Sequence, residues 1–235
     1  MMPGALELEL RGQKVVLLAE RAAYWRDQEM LLIADMHCGK AATFRARHVP
    51  IPDGNMEADL ARLTGVLERT QARRLAILGD WIHAARGCTD EVIATVQAWR
   101  QLHRHVDIHW IRGNHDRLNE TIRSRFGFAD SLFLDQAPFR LQHEPGENAD
   151  RLTIAGHLHP TMLLGGRGFP RVQLPCFHVG EQTVVLPAFT SFAGGYPLPP
   201  GAGGRVFLSA SEEVVEWRVD RGETGGAMRG RLNLG

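Results

Sequence analysis

The sequence predicts an α/β fold joined to a second, largely antiparallel, strand-rich region. Three observations carry this. Short apolar runs alternate with helix-periodic segments through the first half. The second half is rich in Pro and Gly, with apolar runs at hairpin-like spacing. No stretch reaches the roughly 18 consecutive apolar residues of a membrane span. At 235 residues and 44% hydrophobic content the chain can bury a full core, read as one domain over residues 1–221 with a flexible tail from Gly222 to Gly235.

In chain order, strands are expected at Val15–Ala19, Met30–Ala34, Leu75–Leu78, Val106–Ile111, Leu152–Ala155 and Thr183–Leu186. Between the second and third, Met56, Leu60, Leu63 and Leu67 recur at helical spacing, so Met56–Thr70 is expected to be a helix. Between the third and fourth, Thr89 can cap a helix whose Val92, Ile93, Val96 and Trp99 share one face. The stretch HCGKAATFRARHVPIPDGN is expected to be a long loop, a length that often carries function. Later, RVQLPCFHV, QTVVLPAF and GRVFLSA have the character of strands.

Composition excludes several classes. With 27 basic and 27 acidic residues there is no global pull toward nucleic acid, so any such partner must be held locally. Two of the 27 basic residues are lysine, and one of them, Lys40, falls three residues after His37. Three cysteines, without a CxxC pair, point to reduced thiols rather than a disulfide framework or a cysteine zinc site. The N-terminus lacks the apolar core and cleavage site of a secretory signal, which makes a soluble, cytoplasmic protein the expectation.

The strands end in groups that are costly to bury unpaired. LLIADMH ends in Asp35 and His37, LAILGDWIH in Asp80 and His83, IHWIRGNHD in Asn114, His115 and Asp116, and LTIAGHLH in His157 and His159. Ligands of open α/β sheets bind outside the carboxyl ends of strands, where these endings converge. A D-x-H pair sets both side chains on one side of an extended chain. Carboxylate, imidazole and amide donors without thiolate suit Mn, Fe or Zn, and the inventory suffices for two cations sharing one carboxylate.

D-x-H, G-D-x-x-H, G-N-H-D and G-H-x-H, in that order and each after a strand, resemble the calcineurin-like metallophosphoesterases over Leu31–His159. The resemblance implies a four-layer α/β/β/α sandwich, two mixed sheets flanked by helices. RAAYW before the first motif, ADMHCGKAATFR around it and the compact length are similar to the small bacterial branch called ligase-associated metallophosphoesterases. That branch is linked with DNA repair, which implies a metal-dependent phosphodiesterase or nuclease acting on DNA or a related phosphodiester, beside ligase or helicase repair partners and with no membrane. It implies two divalent metal ions, Mn first and Zn or Fe as alternatives, and in-line attack by a metal-bridging hydroxide.

Carried over by motif, Asp35, His37 and His159 would hold one ion, Asn114, His143 and His157 the other, and Asp80 would bridge. His143 departs from the family pattern, being followed by Glu144 where a glycine is usual, and His178 in PCFHVG is its competitor. Pairing of Phe139–His143 with Leu152–Ala155 would bring His143 close to His157. His115 matches the family's catalytic histidine, as proton donor or charge stabiliser. Asp116 would hydrogen-bond its far ring nitrogen, or simply cap a helix. His83 stands where an asparagine or aspartate is usual and would face substrate or support the metals. Lys40 and Arg45, with Arg47 and His48, would hold neighbouring phosphates; the bland alternative is a solvated basic loop. Phe44 would stack on a base or serve as packing, and TSFAGGYPLPPGAGG would close over the site or form an ordinary loop. Two other functions stay open: a phosphomonoesterase for a small metabolite or protein, and a non-catalytic scaffold, which the filled ligand positions and His115 disfavour.

Overall fold

A computed structural model describes residues 2–51, 54–165, 170–199 and 202–219, and the backbone of 230–232. The first sheet runs β1 (Leu6–Leu10), β2 (Gln13–Leu18), β3 (Ala22–Trp25), β4 (Met30–Ile33), β5 (Arg74–Leu78), β6 (Asp107–Ile111) and β7 (Ala129–Ser131), side by side in chain order. Strands β1 to β4 pair antiparallel, and β4 to β7 pair parallel. Parallel neighbours need crossovers. Helices α1 (Lys40–Arg45) and α2 (Asn55–Thr70) join β4 to β5, α3 (Asp90–Leu102) joins β5 to β6, and α4 (Glu120–Ser124) precedes β7.

The second sheet is built from β8 (Phe133–Gln136), β9 (Phe139–Gln142), β10 (Leu152–Ala155), β11 (Pro160–Leu164), β12 (Val172–Val179), β13 (Thr183–Val185), β14 (Tyr196–Pro197), β15 (Arg205–Ala210), β16 (Glu213–Val219) and β17 (Gly230–Leu232). Its order is β17-β16-β15-β12-β13-β10-β9-β8, with β11 on β12 and β14 on β11. Most pairs are antiparallel, as expected, but β9–β10, β10–β13 and β11–β14 lie parallel, so this sheet is mixed, as the resemblance implies. Of the expected tail, only Gly230–Leu232 lies among the described residues, paired with β16.

Side-chain alternation explains the layers. In β4 all four residues are buried, Leu31 and Ile33 toward the helices, Met30 and Leu32 toward the second sheet. The helix layer supplies Leu60, Leu63 and Leu67 from α2 and Val92, Ile93, Val96 and Trp99 from α3 to one core. Thr89 caps α3 as expected, its hydroxyl accepting from the Val92 N–H. A second core lies between the sheets, where Trp25 meets Phe139 edge-on at 4.6 Å between ring centres. All four described helices precede β7 and cover the first sheet. The outer face of the second sheet is covered by the β11–β14 ribbon, through Met162, Leu164 and Leu198.

The segment expected as a long loop holds α1. Gly39, at φ +74°, turns the chain after β4, and the following Lys-Ala-Ala-Thr-Phe-Arg contains good helix formers. Among the described residues no helix is long and apolar enough to cross a membrane.

Candidate metal centre

The carboxyl ends of β4, β5 and β6 meet those of β9 and β10 at one edge of the sandwich. Beyond the strands the loops stay paired: the Asp35 N–H donates to the Gly79 carbonyl (3.2 Å), His37 N–H to Asp80 (2.8 Å) and Cys38 N–H to Trp81 (2.7 Å). Because β9 and β10 run parallel, in register Leu141 to Ile154, His143 and His157 leave the sheet at the same edge. The expected pairing of these segments is present, in parallel sense. Five residues here, Asp35, His37, Asp80, His157 and His159, have φ between +46° and +70°. This region is disfavoured for residues with a Cβ, at roughly 1–3 kcal/mol each, and such strain clusters at functional sites.

The side chains form two groups. In one, Asp35 Oδ1 lies 3.4 Å from His159 Nε2, and His37 Nε2 lies 3.3 Å from His159 Nε2. In the other, Asn114 Oδ1, His143 Nε2 and His157 Nδ1 converge, with separations of 2.9, 3.1 and 3.1 Å. Asp80 Oδ1 lies 3.5 Å from His143 Nε2. Each acid is also tied to a neighbouring motif, Asp35 Oδ2 accepting from the His157 N–H and Asp80 Oδ1 from the His115 N–H, both at 2.9 Å. His178 is elsewhere, 2.5 Å from the Gly203 carbonyl, so His143 is the histidine brought to this cluster.

Backbone carbonyls select the tautomers. His143 Nδ1–H donates to Leu78 (3.0 Å) and His159 Nδ1–H to Gly194 (3.0 Å), leaving both Nε2 lone pairs facing inward. Close packing makes this possible. Gly79 is at φ +84°, and a Cβ there would lie 2.0 Å from His143 Nδ1. At Gly156 a Cβ would lie 2.7 Å from Asp35 Oδ2.

The donor set fits divalent cations. Ligand atoms of Asp35, His37 and His159, and of Asp35, Asp80 and His143, lie within 4.8 Å of one another. Asp35 Oδ1 and His37 Nδ1 are buried without a hydrogen-bond partner. Buried carboxylates need compensating positive charge. Burial raises the Asp80 pKa above its ordinary value despite nearby His143 and the His115 N–H. Burial, reinforced by His159 and Lys40, pushes His37 down to about 2, so its imidazole is neutral. At His159 burial acts downward, but the Asp35 carboxylate 3.4 Å away favours the charged ring and outweighs it, so the pKa is raised.

His115 stands at the open side with 41% of its side chain exposed, Nε2 3.9 Å from Asp80 Oδ2. Its Nδ1–H donates to the His83 carbonyl at 2.7 Å. The bond expected from Asp116 is therefore absent. Asp116 is buried and accepts from the N–H groups of Ile82 (2.9 Å), Gly113 (2.8 Å) and the Trp110 indole (3.0 Å). Tied up by three donors, two from loops and one from β6, its carboxylate cannot turn to the ring; burial nonetheless raises it to about 6. The His83 ring stacks on His115, 5.3 Å between centres and 16° between planes, with Phe44 stacked behind it at 6.1 Å. Burial and the charge of Lys40 lower His83 to about 4.

Lys40 and Arg45, on α1, line one cavity that reaches His37. Lys40 Nζ sits over the Phe192 ring, 5.1 Å from its centre. The segment from Thr190 to Gly195 does lie against the site, as its Gly194 carbonyl holds His159.

Sequence reading missed what anchors that segment. Asp59 on α2 is buried, and its carboxylate accepts from the Thr190 hydroxyl (2.5 Å) and the Ser191 N–H (3.2 Å) while pairing with Arg62 (3.0 Å). Arg62 also donates to the Phe189 carbonyl, and Arg21 to that of Thr190 (2.9 Å). The signal was present: Asp59 follows Met56 by three and precedes Leu63 by four, an acid on the buried face of a periodic helix.

The chain is similar to the crystal structure of Pseudomonas putida nuclease MPE, at 37% identity over 89% of this chain and 99% of that one, with a TM-score of 0.78. Weaker likenesses are to the E. coli phosphoesterase Yfce (14% identity, 76% of this chain and 86% of that one, TM-score 0.38) and to Vacuolar Protein Sorting 29 from Cryptosporidium parvum (14%, 87% and 97%, TM-score 0.34). No curated protein sequence matches the chain. The family described as calcineurin-like phosphoesterase matches residues 30–186, well over half the length, and the chain belongs to the calcineurin-like phosphoesterases, as a metal-dependent phosphoric ester hydrolase.

Proposed function

We propose that the substrate is a phosphodiester, DNA or a related polymer, and that the chain is a nuclease of a DNA repair setting. The observation that supports this best is the pair of donor groups around two buried carboxylates, with His115 on the open side. In this reading Asp35, His37 and His159 hold one divalent ion, Asn114, His143 and His157 the other, and Asp80 lies between. When bound, two such ions supply charge to the phosphoryl oxygens and acidify a water. Mn is the first choice, with Zn and Fe suited to the same donors.

The protein's own groups do the rest. The Leu78 and Gly194 carbonyls hold the His143 and His159 rings in their ligating tautomers. His115, its Nδ1–H held by the His83 carbonyl, presents Nε2 to the leaving oxygen and, as the imidazolium, gives up the Nε2 proton while Nδ1–H stays on the carbonyl. His83 backs that ring and faces the phosphate. Lys40 and Arg45 hold phosphates on the flank. The net charge is zero, so these contacts are local and a repair partner such as a ligase or helicase brings the DNA. The free cysteines agree with a cytoplasmic setting.

Hydrolysis of an aryl phosphodiester and its matching monoester, on metal-stripped protein with manganese, zinc or magnesium restored, tests the proposal. Preference for the diester with manganese is expected, followed by cleavage of DNA. Preference for the monoester moves the substrate to a small phosphate ester, and no turnover of either returns the protein to a scaffold role.

A further inference from the structure

We infer that the cavity beside His37 is a nucleobase subsite, sized for a single six-membered ring, that receives the base adjoining the scissile phosphate. This rests on the phosphodiesterase reading above. The cavity measures about 120 Å³. An enclosed cavity of about 150 Å³ takes up benzene, so the volume is on the scale of one six-membered ring. Met36, Met56, Val92 and Phe192 supply apolar faces, and Glu57 and Glu91 supply acceptors. Apolar faces with a few acceptors suit an amino-bearing pyrimidine better than a sugar or a hydrocarbon.

The wall is preformed. Asp59 holds the Thr190 hydroxyl (2.5 Å), and that oxygen accepts from the Phe192 N–H (3.1 Å), so a buried carboxylate sets the backbone carrying the aromatic wall. Phe44 braces Phe192 edge-on at 6.1 Å. Lys40 completes the arrangement. Its ammonium makes no ion pair with a described carboxylate and rests over the Phe192 face. A cation held only by a ring moves readily to a phosphate, which frees that face for stacking. Stacking of one base is worth roughly five- to 150-fold in affinity.

Methyl spectra of the protein loaded with zinc, which keeps them diamagnetic, test the subsite through Met36 and Met56. Deoxycytidine monophosphate is expected to shift both methyl signals while deoxyribose 5-phosphate leaves them in place. Phe192→Ala should weaken the nucleotide's effect at least fivefold, and Ala41→Trp, which fills the cavity, should remove it. Equal shifts with both ligands, or none with the nucleotide, overturn the inference. A kinetic arm separates it from the underlying reading: with manganese, a nucleoside aryl diester should exceed a methyl aryl diester in kcat/KM. Equal values overturn the subsite and leave the phosphodiesterase; no hydrolysis of either overturns the phosphodiesterase, and the methionine shifts then decide the subsite alone.

Discussion

Gly79 shows how a single residue without a side chain serves the site. Its φ of +84° and the 2.0 Å between a notional Cβ and His143 Nδ1 leave no room for alanine. Gly79→Ala should cost roughly 1–3 kcal/mol in backbone strain alone and displace His143. Thermal unfolding and metal stoichiometry check this, and unchanged metal content would place His143 outside the centre. His115 makes the opposite case. Its ring is held by a carbonyl and by stacking, so His115→Ala should lower turnover by roughly 10²- to 10⁴-fold, the usual worth of a general acid, with bound metal unaltered. Lost metal would make it a ligand instead.

At the scale of elements, α2 does more than cover the first sheet, since its Asp59 anchors the segment after β13 that carries the carbonyl holding His159. Asp59→Ala takes this acceptor from the buried Thr190 hydroxyl, from the Ser191 N–H and from Arg62, which keeps the Phe189 carbonyl. The cost should exceed the roughly 1–3 kcal/mol of one unsatisfied group, with weakened metal binding read by calorimetry. Thr190→Val removes one of those bonds and should do less of both. The same helix is tied to the β2–β3 turn by Arg69, which grips Glu20 at 2.5 and 2.7 Å. Burial pushes the Glu20 pKa up, but the Arg69 hydrogen bonds outweigh it and the net shift is downward from 4.5. A depressed carboxylate pKa gives stability that is present above the unfolded value and lost as pH falls through the folded one. Glu20→Gln should therefore lower Tm at neutral pH, and the difference from the native protein should shrink as the pH falls below 4.5 and vanish below the depressed folded-state pKa.

Across the whole molecule, the donors come from both sheets: Asp35, His37, Asp80 and Asn114 follow strands of the first, and His143, His157 and His159 strands of the second. On the proposed ligand set, a bound cation would clamp the sandwich at its open edge. A ligand at one hundred times its Kd adds about 2.7 kcal/mol, so manganese should raise the Tm of metal-stripped protein by roughly 5–10 °C. A Tm indifferent to manganese would mean that the clamp does not form.

Much of this was legible in the sequence. Apolar runs located β4, β5, β6 and β10, helical spacing located α2 and α3, and the polar residues after each strand carried the family resemblance, because strand ends and motif spacing are local properties of a chain. Three features depended on the fold. α1 formed inside an expected loop, where local propensity with a left-handed Gly39 prevailed over the absence of a long periodic face. His143 was separated from His178 only by the parallel pairing of β9 and β10, which strand-forming residues do not encode. Asp116 looked like the partner of the His115 ring, but the N–H groups of Ile82, Gly113 and the Trp110 indole claim its carboxylate in the fold. Sequence by itself determined which groups stand at the strand ends; tertiary structure decided which atoms meet, because that depends on register, on glycine gaps and on backbone carbonyls far away along the chain.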